Sequence, residues 1–228
     1  MRSILFILVI TFGCQNRPED QSKSVDSVRT VIDESSLQAE SEYSEHYLNY
    51  LQKEKELFAK TPENAWRSED TLFIKLGNHQ IKKYVNRDFN SGDDVLYTYQ
   101  GEVDGIPYYL LHVQYYEGDQ ILLVNNFNGS DYYVNAPPVI SPDHNFLATA
   151  SFDLEAGYNP NELNIWRVGS DSIRMVYSIE PGDWGPTDLI WLNNDTISFT
   201  KNVLTVNDGD SLREIHTVVL RDSMWVLQ

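Results

Sequence analysis

The chain has 228 residues and is acidic, with 34 Asp and Glu against 17 Lys and Arg and a formal charge of −17. Such a surface repels phosphate backbones and anionic headgroups, which argues against a nucleic-acid partner. The single cysteine, Cys14, rules out an internal disulfide, so the body must hold together by core burial.

The chain opens with "MRSILFILVITFGC". Arg2 supplies a positive start, Ile4 to Phe12 an apolar run, and Gly13 a small residue before Cys14. The run is shorter than the ~18–20 apolar residues a membrane span needs, so it reads as a signal peptide over residues 1–13. The segment "TFGC" resembles the lipobox of bacterial lipoproteins, with Thr11 where that family usually has Leu. The resemblance implies cleavage before Cys14, lipidation of its thiol, and membrane anchoring at the extracytoplasmic face of the bacterial cell envelope. Cleavage removes Arg2 alone among charged residues and leaves −18. Gln15 to Glu40 has no aromatic residue and many Ser, Asp, Glu and Gln. Such a composition cannot bury a core, and residues 14–40 read as a lipidated cysteine followed by a flexible tether.

Residues 41–228 read as one β-rich domain opened by a helix over 41–60. Tyr43, Tyr47, Tyr50, Leu51 and Phe58 recur on one helical face, and Thr61-Pro62 supplies a stop. From about residue 71 the texture is that of strands. "TLFIKLGN" and "HQIKKYVN" form a predicted hairpin, and "DVLYTYQGEV", "YYLLHVQYY", "QILLVNNF" and "DYYVN" follow between Gly-containing turns. In the paired tyrosines Tyr108-Tyr109, Tyr115-Tyr116 and Tyr132-Tyr133, strand alternation predicts one ring inward and one outward. Farther on, "ELNIWRV" and "SIRMVYSIE" form the clearest hairpin, with Ile173, Met175, Tyr177 and Ile179 predicted on the core face.

A weak repeat runs through this half. "VISPDHNFLATA" from Val139 is echoed by "LIWLNNDTISFT" from Leu189, 50 residues on. A repeat of ~40–50 residues is the period of propeller blades. "PVISPDHNFLAT" with "LNIWRV" resembles a blade of TolB-like or WD40-like β-propellers, which carry SPDG between the first two strands and IW near the third. Here His144 stands in place of the Gly. The resemblance implies an all-β fold of propeller-like antiparallel blades, as a partial or small propeller or a two-sheet β structure, and a binding platform more than a particular reaction.

Two loops hold the candidate site residues. Between Ala150 and Val168, Asp153, Glu155, Asn159, Asn161 and Glu162 offer oxygen ligands of the kind calcium takes. The spacing departs from an EF-hand loop, and a solvated turn is the alternative. In "EPGDWGPTD", Pro and Gly stiffen a loop presenting Asp183, Trp184 and Asp188. Should both loops share one sheet edge, Glu155, Tyr158, Asp183, Trp184 and Asp188 would form a ligand-facing patch suited to a sugar ring or a cationic group. The alternative buries Trp184 in the core. None of the five histidines pairs at metal-ligand spacing, and "SFTK" lacks the helix its catalytic look-alike needs.

No catalytic signature emerges, so no catalytic residue is assigned. The sequence reads as a membrane-anchored extracytoplasmic lipoprotein whose body is a non-catalytic binding or interaction module. Its expected partners are the membrane, through the lipid, and an envelope protein or glycan. No cofactor is expected beyond calcium in the loop above. The alternatives are a carboxylate-dependent glycan hydrolase and a calcium-stabilised envelope domain.

Overall fold

A computed structural model describes residues 49–60, 63–87, 94–154, 156–204 and 211–228. The signal peptide, Cys14, the tether, Tyr43, Tyr47, the Thr61-Pro62 stop and Glu155 lie outside the described residues. Helix α1 covers 49–60. Among the described residues fifteen strands follow in four antiparallel sheets, each a meander in chain order. Sheet A holds β1 (Ala65–Ser68), β2 (Thr71–Lys75) and β3 (Ile81–Val85). Sheet B holds β4 (Val95–Glu102), β5 (Tyr108–Tyr115), β6 (Asp119–Asn125) and β7 (Asp131–Val134). Sheet C holds β8 (Val139–Ile140), β9 (Phe146–Ser151), β10 (Glu162–Val168) and β11 (Ile173–Ile179). Sheet D holds β12 (Gly185–Asn193), β13 (Thr196–Leu204), β14 (Ser211–Arg221) and β15 (Met224–Leu227). The chain is thus an all-β protein of small, blade-like sheets behind one helix.

Turn chemistry explains the 50-residue echo. Between β8 and β9, Asp143 accepts from the Ser141 hydroxyl at 2.7 Å and from the Asn145 backbone N–H at 3.1 Å. Ser141 Oγ in turn accepts from the Phe146 N–H at 2.9 Å. His144 adopts φ 60°, the left-handed conformation that a Gly would take without strain. Between β12 and β13, Asn193 Oδ1 accepts from the Asp195 N–H at 2.8 Å. Both turns join the first and second strands of their sheets, so the echo marks equivalent places in successive blades.

Apolar side chains gather between neighbouring sheets. Leu72, Ile74 and Tyr84 of sheet A meet Tyr99, Leu111 and Val124 of sheet B. Tyr108 and Leu123 of sheet B meet Leu147 and Ile173 of sheet C. Ala148 and Ile165 of sheet C meet Trp191, Phe199 and Trp225 of sheet D, where the Trp191 indole N–H also donates to the Val139 carbonyl at 2.9 Å. Among the described residues no buried cluster joins sheet A to sheet D. Their outer faces leave Trp66 and Ile81, and Ile190 and Ile215, exposed.

This stacking corrects two expectations. Tyr108 and Tyr109 are both buried, because sheet B is covered on both faces and outward is simply a second core. On β11 a bulge interrupts the alternation: Ile165 pairs with Tyr177 and Trp166 with Met175, leaving Val176 as the extra residue. Val176 consequently packs with the core between sheets C and D, while Met175 is exposed.

Helix α1 packs beside the later part of β4, the edge strand of sheet B. Phe58 stacks on Tyr99 at 6.0 Å, and Leu57 lies over Gly101. The middle of its apolar face carries a charge, Glu54, only 1% exposed. Its carboxylate accepts from Arg67 Nε at 2.8 Å, from Arg67 Nη2 at 2.9 Å and from the Tyr99 backbone N–H at 2.7 Å. An edge strand left bare is a template for unwanted pairing; here Arg87 bridges Val95 and Asn86 accepts from the Tyr97 N–H at the start of β4, and the helix covers the stretch from Tyr99 to Gly101.

Candidate functional site

The alternating strands place turns at two ends of the sheets, and the ends differ. At one end the turns are short and locked together. Asn125 is fully buried; its Oδ1 accepts from the N–H groups of Phe127 at 3.0 Å and Asn128 at 2.9 Å, and its amide donates to the Ser170 carbonyl of sheet C at 3.0 Å. The Asn128 amide donates to the Asp171 carbonyl at 3.0 Å. Gly105, at φ 82°, lies so close to His144 that a side-chain carbon there would stand 2.6 Å from the imidazole.

At the other end three loops from three sheets converge. The β5–β6 turn approaches the β9–β10 loop, and a side-chain carbon at Gly118 would stand 3.5 Å from Tyr158 Cβ. The β9–β10 loop also reaches the start of β12, where the Phe152 ring lies on Gly185. Beneath them a polar chain ties sheet B to sheet C. Tyr115 donates to Gln120 at 3.1 Å, Gln120 to Asn135 at 2.9 Å, and Asn135 to Glu162 at 2.6 Å. The rim above this chain exposes Tyr116, Phe152 and Tyr158, the last at 59%.

The two loops singled out in the sequence therefore do meet, through Phe152 and Gly185. Trp184, however, turns inward. It is 9% exposed, stacks on Phe199 at 5.8 Å, and carries the Lys201 ammonium 5.4 Å from its ring centroid. Asp183 and Asp188 stay exposed beside it, and Asp188 accepts from Arg213 at 3.4 Å. The aromatic surface of this rim thus belongs to Phe152, Tyr158 and Tyr116. Phe152 and Tyr116 could have been marked only by knowing which loops are neighbours.

The oxygen-rich loop organises itself. Asp153 Oδ2 accepts from the N–H groups of Tyr158 at 2.8 Å and Asn159 at 2.9 Å, and its Oδ1 from Ala156 at 3.1 Å. The Asn159 N–H foremost, with its neighbours, holds the Asp153 carboxyl below the usual carboxylate range. Asn161 Oδ1 accepts from the Asp153 N–H at 2.7 Å, and Glu162 is engaged by Asn135. Among the described residues no three His, Cys, Asp or Glu stand together as a metal site. Near the rim, His112 is buried with Nε2 2.7 Å from Asp119 Oδ2, and the Tyr50 ring of α1 stacks on it at 4.0 Å.

Comparison with known protein families finds no model that matches this chain, and no curated protein matches it.

Proposed function

We propose that this chain is a membrane-anchored extracytoplasmic lipoprotein of the bacterial envelope whose β body is a non-catalytic binding module. The rim formed by the β5–β6 turn, the β9–β10 loop and the start of β12 is its ligand surface. One observation carries the reading: exposed aromatic rings gather where loops of three sheets meet on a rigid scaffold. Binding residues concentrate on loops that a packed framework holds in place. Tyrosine and phenylalanine supply contact area at small entropic cost. The "TFGC" junction supports the anchor. The SPDH turn after β8 and the Ile165-Trp166 pair in β10 support kinship with TolB-like or WD40-like blades. The partner is an envelope protein or a glycan.

Two substitutions test the two halves of this proposal. Cys14→Ala is expected to move the chain from the membrane to the soluble fraction of fractionated cells. A Phe152→Ala, Tyr158→Ala double variant is expected to stay folded and anchored while losing the partners that the wild type retains from detergent-solubilised envelope. Partner retention by the double variant equal to wild type would exclude the rim.

A further inference from the structure

Sheet D ends the stack, and its two faces differ. One meets sheet C with Ile197, Phe199, Val218 and Trp225. The side chains between these point away, since neighbours along a strand take opposite faces. On that far face Ile190, Ile215, Met224 and Val226 are exposed, Ile190 at 59% and Ile215 at 80%. Among the described residues no buried cluster includes them. Sheets B and C have the same four-strand build and are covered on both sides.

The far face is close to neutral in a chain that carries −17. Its strands place one carboxylate there, Asp188, which accepts from Arg213 at 3.4 Å. Glu214 belongs to the other face, opposite Lys201. Arg213 Nε also donates to Asn202 Oδ1 at 3.0 Å, and the Asn202 amide donates to Thr187 at 2.9 Å, so the polar end of the face satisfies itself. Over most of an acidic surface two copies would meet with like charges opposed, and this face avoids that cost. Its relief also suits its own image. Ile190 stands beside Ser198 and Ile215 beside Thr200, so bulky side chains flank small ones. A copy turned about a two-fold axis sets each ridge into the other's gap. Strands of these lengths cover about 500 Å² in projection. Two such faces, with their side-chain relief, exceed the roughly 1,000 Å² of total burial that a stable interface needs. The far face of sheet A is smaller, with three strands, and bears two exposed lysines, Lys75 and Lys83, the latter over the Phe73 ring. Two copies of that face would repel.

We propose that the far face of sheet D is a self-association surface through which two copies of this chain form an isologous dimer. Ile190, Ile215, Met224 and Val226 of each copy make the shared core. Two-fold symmetry closes the assembly at two, because the same face is used by both partners. The pairing is independent of what the rim binds.

The test is analytical ultracentrifugation of the full chain carrying Cys14→Ser, which removes the one thiol that could crosslink copies. A dimer is expected, with a dissociation constant of about 100 μM or tighter. An isologous contact counts each substitution twice. An Ile190→Lys, Ile215→Lys double variant is therefore expected to weaken the dimer at least about fiftyfold, with an unchanged circular dichroism spectrum. The milder Ile215→Thr, which keeps the branched shape that strands favour, is expected to weaken it about tenfold and carries the test should the double variant misfold. Ile81→Lys, on the far face of sheet A, is expected to leave the dimer as strong as in wild type. A wild-type chain that stays monomeric at about 100 μM would overturn the proposal. So would a dimer that Ile215→Thr leaves unchanged, or one that Ile81→Lys dissociates, since the joined faces would then be others.

Discussion

The two ends of the sheets are made from the same strands yet solve opposite problems. At the locked end, side-chain amides replace missing backbone partners: Asn125 serves two N–H groups and one carbonyl across two sheets. Close packing there leaves no room for a side chain at Gly105. At the open end the longest described loop, between β9 and β10, is held mainly by its own Asp153 and projects rings into solvent. The lesson is a division of labour. One end fixes the relation between blades, and the other is free to carry recognition.

Substitutions should separate the ends. Asn125→Ala leaves two N–H groups and a carbonyl unserved at the locked end and is expected to cost about 2–3 kcal/mol in denaturant unfolding. Gly105→Ala adds a clash with His144 to a left-handed φ, and a loss of about 1–2 kcal/mol is expected by the same measurement. At the open end, Asp153→Ala should cost only about 1 kcal/mol, since its bonds order one loop. That contribution has a defined pH dependence. The folded carboxyl sits below its usual 3.8, so it stabilises the fold above that value and ceases to as pH falls through the folded pKa. The difference between wild type and Asp153→Ala should therefore be full at pH 5 and vanish in strong acid. The smallest effect is expected for Tyr158→Ala, within about 0.5 kcal/mol, because the ring is exposed. Equal costs at both ends would erase the distinction drawn between them.

Much of the locked end was legible in the sequence. Asx and Ser-Pro-Asp turns report their own backbone chemistry, so the β8–β9 turn and its echo 50 residues on could be read as equivalent. Most strands were visible from alternation, but β1 came earlier than the texture implied, starting at Ala65. What failed depended on neighbours in space. Tyr108 and Tyr109 alternate like a half-exposed pair, and only the sheet on each side shows that both are core. Glu54 breaks an apolar stripe, and nothing local announces that Arg67 and the Tyr99 N–H receive it. At the open end, "EPGDWGPTD" left two readings of Trp184, a ligand-facing ring or a plug in the core. Phe199 and Lys201 claim it for the core, and the exposed rings come from loops whose adjacency no sequence pattern encodes.

The most direct test of the open end as a recognition surface is site-specific photocrosslinking in cells that make the full chain. A benzophenone amino acid is placed at Tyr158 on the open rim or at Phe127, which is equally exposed on the locked end. Discrete, reproducible adducts are expected from position 158 and none from position 127. Adducts of the same identity and yield from both positions, or from 127 alone, would contradict it.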